Sequence, residues 1–142
     1  MIVDASVAIK WLIAEIDSPA AEPLADRTDL TAPSVLPIEV GYVLTKLTRR
    51  GEISAEGARN AWGVFRTTPL RIVELGPEVD HAFDLSLQLG ASFYDCLYLS
   101  LAVILDDVMV TADHSFVRAV RASRDRATAD RVRTLAELAS DA

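Results

Sequence analysis

The sequence predicts an α/β fold in which a parallel sheet is covered by helices on both faces. Two observations carry that expectation. Short apolar runs bounded by turn-forming residues alternate with longer helical stretches along the chain, the pattern of strands joined by helical crossovers. The stretch Ser92 to Asp113, SFYDCLYLSLAVILDDVMVTAD, reads as one such unit, a helix followed by a strand with an acid near each end.

Taken in order, Ile2-Val3 is a short buried strand ending at Asp4, and Ser6 or Asp4 caps a helix from Val7 to Ala14. Asp17-Ser18-Pro19 starts a second helix, to about Asp26, and Leu30-Thr31-Ala32 is a brief strand stopped by Pro33. Leu36 to Arg50 is a long helix that tolerates Pro37 in its first turn and ends at Gly51. Ser54 caps a helix reaching about Thr67, Arg71 to Leu75 alternates as a strand, and Gly76-Pro77 ends it. Glu78 to Leu89 is helical with Gly90 at its C-cap. A helix from Tyr94 to Asp106, a strand from Val108 to Ala112 and a helix from His114 to Arg124 follow. Val132 to Leu135 is a last edge strand before a short tail, AELASDA.

Bulk properties limit what the chain does. Its 142 residues fit one domain, residues 1–142, that buries roughly 70% of its unfolded surface without disulfides. A net charge of −7 excludes nucleic-acid binding through a uniformly basic surface, so such a partner has to meet a local patch. The single Cys96, with no Cys/His cluster at zinc spacing, points to a reducing cytoplasm. The opening MIVDASVAIK lacks the basic start of a signal peptide, and the apolar-rich run Cys96 to Leu105 is about half a membrane span, a buried helix with no membrane partner.

The acids show where chemistry is expected. The helix from Tyr94 rises roughly 18 Å and the following strand returns roughly 16 Å if it runs antiparallel to the helix. Asp95 and Asp113 therefore reach the same level at the sheet edge where strands end, the edge at which open α/β sheets bind ligands. Asp4 ends the first strand, and Glu39 lies in the first turns of the helix after the second. Four acids from four segments can meet in one crevice, and an oxygen-only set without histidine suits Mg²⁺ or Mn²⁺. Each acid also has a structural alternative. Asp95 follows Ser92 in a capping-box-like S-x-x-D, Asp4 and Asp113 can be N-caps, and Glu39 can complement a helix dipole.

The motifs carry a resemblance. Val3-Asp4-Ala5-Ser6 with Lys10-Trp11, Pro37-Ile38-Glu39-Val40, Tyr94-Asp95-Cys96-Leu97-Tyr98-Leu99-Ser100-Leu101-Ala102, and Thr111-Ala112-Asp113 with Phe116 resemble the ordered motifs of the PIN-domain nucleases, above all the VapC-like toxins of toxin–antitoxin pairs. The resemblance implies a three-layer α/β/α sandwich and a Mg²⁺- or Mn²⁺-dependent endoribonuclease acting on RNA. It also implies a VapB-like antitoxin as partner and commonly a homodimer. Metal-binding and catalytic carboxylates carry over to Asp4, Glu39, Asp95 and Asp113, with Ser6 and Thr111 as supporting polar groups. Cys96 and Ser100 replace the family's frequent alanines, and His114 stands where a further acid is sometimes found.

Other features complete the reading. A second Thr-Ala-Asp, Thr128 to Asp130, lacks a preceding apolar strand, so Asp113 is the better candidate. Lys10, one helical turn beyond Ser6, can meet a phosphate or lie along the surface. Arg118, Arg121, Arg124, Arg126, Arg131 and Arg133 oppose only Asp125 and Asp130 and form a basic region; Arg118 and Arg121, on the helix that begins beside Asp113, are candidates to track an RNA backbone. A haloacid-dehalogenase-like phosphatase expects a second aspartate where Ser6 stands, and a receiver domain expects paired acids after the first strand. A non-catalytic RNA-binding or scaffold relative is the remaining alternative.

Overall fold

The computed structural model describes residues 1–13 and 18–141. Five strands form one sheet: β1 (Ile2–Val3), β2 (Thr31–Pro33), β3 (Arg71–Val73), β4 (Met109–Thr111) and β5 (Val132–Thr134). Their order across the sheet is β3-β2-β1-β4-β5, and every neighbouring pair is parallel. The helices between them are α1 (Ala5–Leu12), α2 (Ser18–Ala25), α3 (Leu36–Arg49), α4 (Ala55–Thr67), α5 (Glu78–Leu89) and α6 (Phe93–Ile104). After β4 come α7 (His114–Arg121), α8 (Arg126–Ala129) and α9 (Leu135–Ser140). The chain builds β2 and β3 outward on one side of β1, then returns to place β4 and β5 on the other. That reversal opens a crevice at the carboxyl ends of β1 and β4.

Side-chain alternation divides the core between the two sheet faces. Ile2 and Met109 sit opposite each other in the register and join Ala32, Leu36, Val40, Leu97, Leu101 and Val120 in one cluster. Val3 and Val110, one residue on, join Ala21, Leu24, Leu30 and Leu135 in the other. Both layers bury strand residues completely, as expected of a parallel sheet covered on both faces. Helix α6 carries the heart of the larger cluster, with Cys96 to Ala102 all buried. Among the described residues, no single helix is long and apolar enough to cross a membrane.

Most expected elements are present, with shorter strands. Asp4 rather than Ser6 caps α1, its side chain accepting the Val7 N–H, and the helix starts at Ala5. The expected helix end at Ala14 and the second helix's start at Asp17 lie outside the described residues. Pro33 lies within β2 instead of stopping it. The Thr31 N–H donates to Met1 O, so the N–H that Pro33 lacks would also face β1, which has already ended at Val3. Gly90 takes the left-handed conformation, φ 60°, that ends α5. The chain after β5 is a correction: it forms α9, opened by a capping box in which Glu137 N–H donates to Thr134 Oγ1 at 3.2 Å and Thr134 N–H to Glu137 Oε2 at 2.9 Å. Helix α8 was also unexpected; Asp125 caps it and accepts from Thr128 Oγ1 at 2.6 Å.

Candidate metal centre

Each of the four acids stands where a helix begins at the crevice. Asp4 leaves β1 for α1, Glu39 lies in the first turn of α3, Asp95 in the first turn of α6, and Asp113 caps α7. Together with Ser6, Ile9, Lys10, Val43 and Ala112 they line one cavity of about 450 Å³. Sequence distance is cancelled by topology: α6 carries the chain away from this edge, and β4, parallel to β1, brings it back.

Asp4 is the fixed point. It is 2% exposed, and its carboxylate accepts from three donors: Ser6 Oγ at 2.6 Å and Val7 N–H at 3.0 Å on Oδ1, and Thr111 Oγ1 at 2.5 Å on Oδ2. The two hydroxyls in turn accept backbone N–H groups, Ser6 Oγ from Ala112 and Thr111 Oγ1 from Asp113, both at 3.0 Å. The start of α1 is thus tied to the β4–α7 turn through the two residues expected as supporting polar groups. Burial still dominates and holds the Asp4 carboxyl above the usual range, against the three hydrogen bonds and with the help of Asp113's charge.

The other carboxyls divide into two kinds. Burial, with the charges of Asp4 and Asp113, lifts Asp95 to about 6. Burial lifts Glu39 to about 7, assisted by Asp95 and Asp4 and opposed by a hydrogen bond from Tyr98 Oη to Oε1 at 3.2 Å. Asp113 is exposed and goes the other way. Phe116 N–H at 3.0 Å, Ser115 Oγ at 2.9 Å and Ser115 N–H at 2.8 Å all donate to its Oδ1, holding it ionised below the usual range. One acid with a lowered carboxyl, Asp113, therefore shares the crevice with three that burial raises, Asp4, Glu39 and Asp95.

Among the described residues, no three acidic, histidine or cysteine side chains are gathered tightly enough to enclose a metal ion by themselves. The donor set nonetheless suits a hard cation that keeps several waters: it is all oxygen, it lines one cavity, and its raised carboxyls would be relieved by positive charge. The caps predicted as alternatives are also real. Asp4 and Asp113 cap their helices through Oδ1, while Ser92 caps α6, accepting the Asp95 N–H at 3.5 Å.

The basic residues separate. Lys10 is buried and lines the crevice. Arg118 is exposed on α7, and its charge helps keep Asp113 ionised. Arg121 instead clamps Glu137 through both guanidinium nitrogens at 2.7 and 2.8 Å and donates to Val132 O at 3.2 Å. Arg126 pairs with Asp130, Arg131 with Asp106 and Arg133 with Asp141. Four of the six arginines are thus paired, three of them with acids outside the expected region, and the second Thr-Ala-Asp belongs to this surface, not to the crevice. His81 is a helix-face residue whose Nδ1 meets Ser100 Oγ at 2.8 Å, and burial raises the Cys96 thiol to about 11. Tyr98 had no role assigned from sequence; its spacing three residues after Asp95, on the same helix face, was the available signal.

An all-parallel sheet between helical layers, with four carboxylates at its switch point, defines the class: an α/β/α protein with an oxygen-only acidic crevice. The PIN domain family model matches residues 1–122, and the chain belongs to that family. It is 36% identical over 84 residues to Ribonuclease VapC1 of Mycobacterium tuberculosis, a match covering 58% of this chain and 61% of that relative's length. In fold it is similar to PAE2754 from Pyrobaculum aerophilum, with a TM-score of 0.70 and 18% identity over 99% of this chain and 86% of the other. It is also similar to VapBC2 from Rickettsia felis, solved bound to a DNA fragment from its promoter, with a TM-score of 0.60 and 17% identity over 83% and 91% of the two chains.

Proposed function

We propose that this chain, acting as one PIN unit over residues 1–142, is a metal-dependent endoribonuclease and the toxin of a VapBC-like pair. The observation that carries the chemistry is the crevice itself, where Asp4, Glu39, Asp95 and Asp113 line one cavity and burial raises the carboxyls of the first three. Mg²⁺ or Mn²⁺, when bound, lowers the pKa of a water and stabilises charge on phosphoryl oxygens. Asp4, Asp95 and Asp113 are the residues that would hold it, with Glu39 completing the site.

The chain's own residues do the rest. Ser6 and Thr111 hold both Asp4 oxygens in place, so the central ligand needs no reorganisation. Tyr98 orients Glu39 at the wall of the crevice by donating to its Oε1. Lys10 places a cation beside the carboxylates, where a scissile phosphate would sit. The VapC1 relative is named a ribonuclease and VapBC2 is a VapBC complex; these support RNA as substrate and a VapB-like antitoxin as partner. The homodimer rests on the resemblance, and a cytoplasmic location on the lone buried thiol.

Purified protein should cleave single-stranded RNA with Mg²⁺ or Mn²⁺ and stop in excess EDTA. Cleavage undiminished by chelation, with contaminating nuclease excluded, would remove the metal mechanism. Expression should slow growth and co-expression of a small neighbouring-gene product should restore it; harmless expression of folded, metal-loaded protein would count against the toxin reading.

A further inference from the structure

A second groove, of about 540 Å³, adjoins the acidic crevice and shares Glu39, Val43 and Asp95 with it. Its other walls are Ile38, Tyr42, Ser92 and Tyr94. Both tyrosines are more than half exposed, Tyr42 at 59% and Tyr94 at 55%, an unusual placement for rings with no core to fill. On α3, Glu39, Tyr42, Val43 and Lys46 fall at the i, i+3, i+4, i+7 spacing of one helix face, and the Lys46 ammonium lies 5.7 Å from the centre of the Tyr42 ring. One helix face therefore presents, in order, a carboxylate of the crevice, an aromatic ring and a cation.

We propose that this groove is a base-binding subsite, in which Tyr42 and Tyr94 receive an unpaired base next to the scissile phosphate while Lys46 meets the following phosphate. The inference rests on the nuclease reading and adds what selects its substrate: single-stranded RNA held by stacking. A polynucleotide with one phosphate at the carboxylates has to direct its neighbouring nucleotide along the surface that shares their walls. Aromatic faces bind bases of any identity by stacking, and a nearby cation suits the backbone. A purely apolar protein segment fits less well, because it would leave Lys46, Glu39 and Asp95 desolvated against it without partners.

The test uses the full chain with Mn²⁺ and a random-sequence octaribonucleotide pool, with Tyr42→Leu, Tyr94→Leu and the matching Tyr→Phe variants. Both tyrosines are exposed, and a melting curve for each variant checks that it folds. Each Tyr→Leu change should raise KM roughly 5- to 150-fold, the range of base–aromatic stacking, with kcat changed less than about twofold; Tyr→Phe should restore wild-type KM. As competitor, an octauridylate should outperform an abasic octamer of equal phosphate number, and both Leu variants should erase that preference. Unchanged KM in the Leu variants, with metal-dependent cleavage intact, would overturn the subsite and leave the nuclease reading standing. RNA binding that depends on both tyrosines without any cleavage would uphold the subsite and overturn the nuclease. If sedimentation showed the Leu variants altering only self-association, with RNA kinetics intact, the groove would be an interface between copies and the proposal would fall.

Discussion

Replacing Asp95 by Asn separates a site held under electrostatic strain from a helix cap. Burial and the charges of Asp4 and Asp113 lift the Asp95 carboxyl from 3.8 to about 6. Converted at 1.36 kcal/mol per pKa unit, that rise is about 3 kcal/mol, and the group's partial exposure reduces it to about 1.5 kcal/mol by solvent screening. The folded-state value is raised, so the metal-free wild type is favoured at low pH and loses this stability as pH rises from 4 through 6. Asn abolishes the loss while keeping the backbone N–H that Ser92 caps. It forfeits the charge at the helix N-terminus, about 0.3 to 1 kcal/mol. In EDTA at pH 8, Asp95→Asn should therefore be about 0.5 to 1 kcal/mol more stable than wild type, a melting increase of about 2 to 4 °C. The advantage should shrink toward pH 4.5. Mn²⁺ at a hundredfold excess over Kd should stabilise the wild type by about 2.7 kcal/mol, and the variant much less, with cleavage abolished. Thermal melts with EDTA and with Mn²⁺ at both pH values, beside single-turnover cleavage, read all of this. A variant that is active, shows the full Mn²⁺ shift and is destabilised in EDTA at pH 8 would refute the reasoning and leave Asp95 a helix-start acid.

Three further outcomes are expected. Mn²⁺ affinity should fall as pH drops through 7 and then 6, because Glu39 and Asp95 regain protons there and only ionised carboxylates ligate; calorimetry in buffers of different ionisation enthalpy should record proton release on binding, and pH-independent affinity would contradict it. Thr111→Val removes the donor to Asp4 Oδ2 and the acceptor of the Asp113 N–H, so urea unfolding should show a loss of about 1 to 3 kcal/mol and the acid limb of the rate profile should move to higher pH. Arg121→Ala breaks a half-exposed ion pair with Glu137 and should cost about 0.2 to 1 kcal/mol of stability, less at high salt, with RNA KM little changed; Arg118→Ala should raise KM with little change in melting temperature, and the reverse pattern would exchange their roles.

The alternation of strands and helices and the helix starts that carry the four acids are legible in the chain, because each is a local signal: an apolar run, a capping residue, a glycine stop. Asp4, Glu39, Asp95 and Asp113 were legible since helices begin where parallel strands end. Strand limits were less so, because β1 and β4 are held by register across the sheet, not by their own two or three residues. Helix α9 is too short for helical periodicity to mark it, and its sequence signal is the capping box that Thr134 and Glu137 spell.

The balance of charge, by contrast, is set by contacts between elements. Six arginines close in sequence read as a basic region, yet Glu137, Asp106 and Asp141 reach three of them, Arg121, Arg131 and Arg133, from other elements, and Arg121 becomes a strut between α7 and α9. Proton affinity was likewise invisible in one dimension: Asp113 and Asp95 are the same residue type at the starts of two helices, but three donors on Oδ1 keep one ionised while burial and neighbouring charges keep the other protonated to about 6. The pairing of Tyr42 with Tyr94 around Glu39 and Asp95 arises because α3 and α6 begin on the same edge of the sheet. Local signals specify which residues start a helix; the field each side chain experiences is set by whatever the fold packs against it.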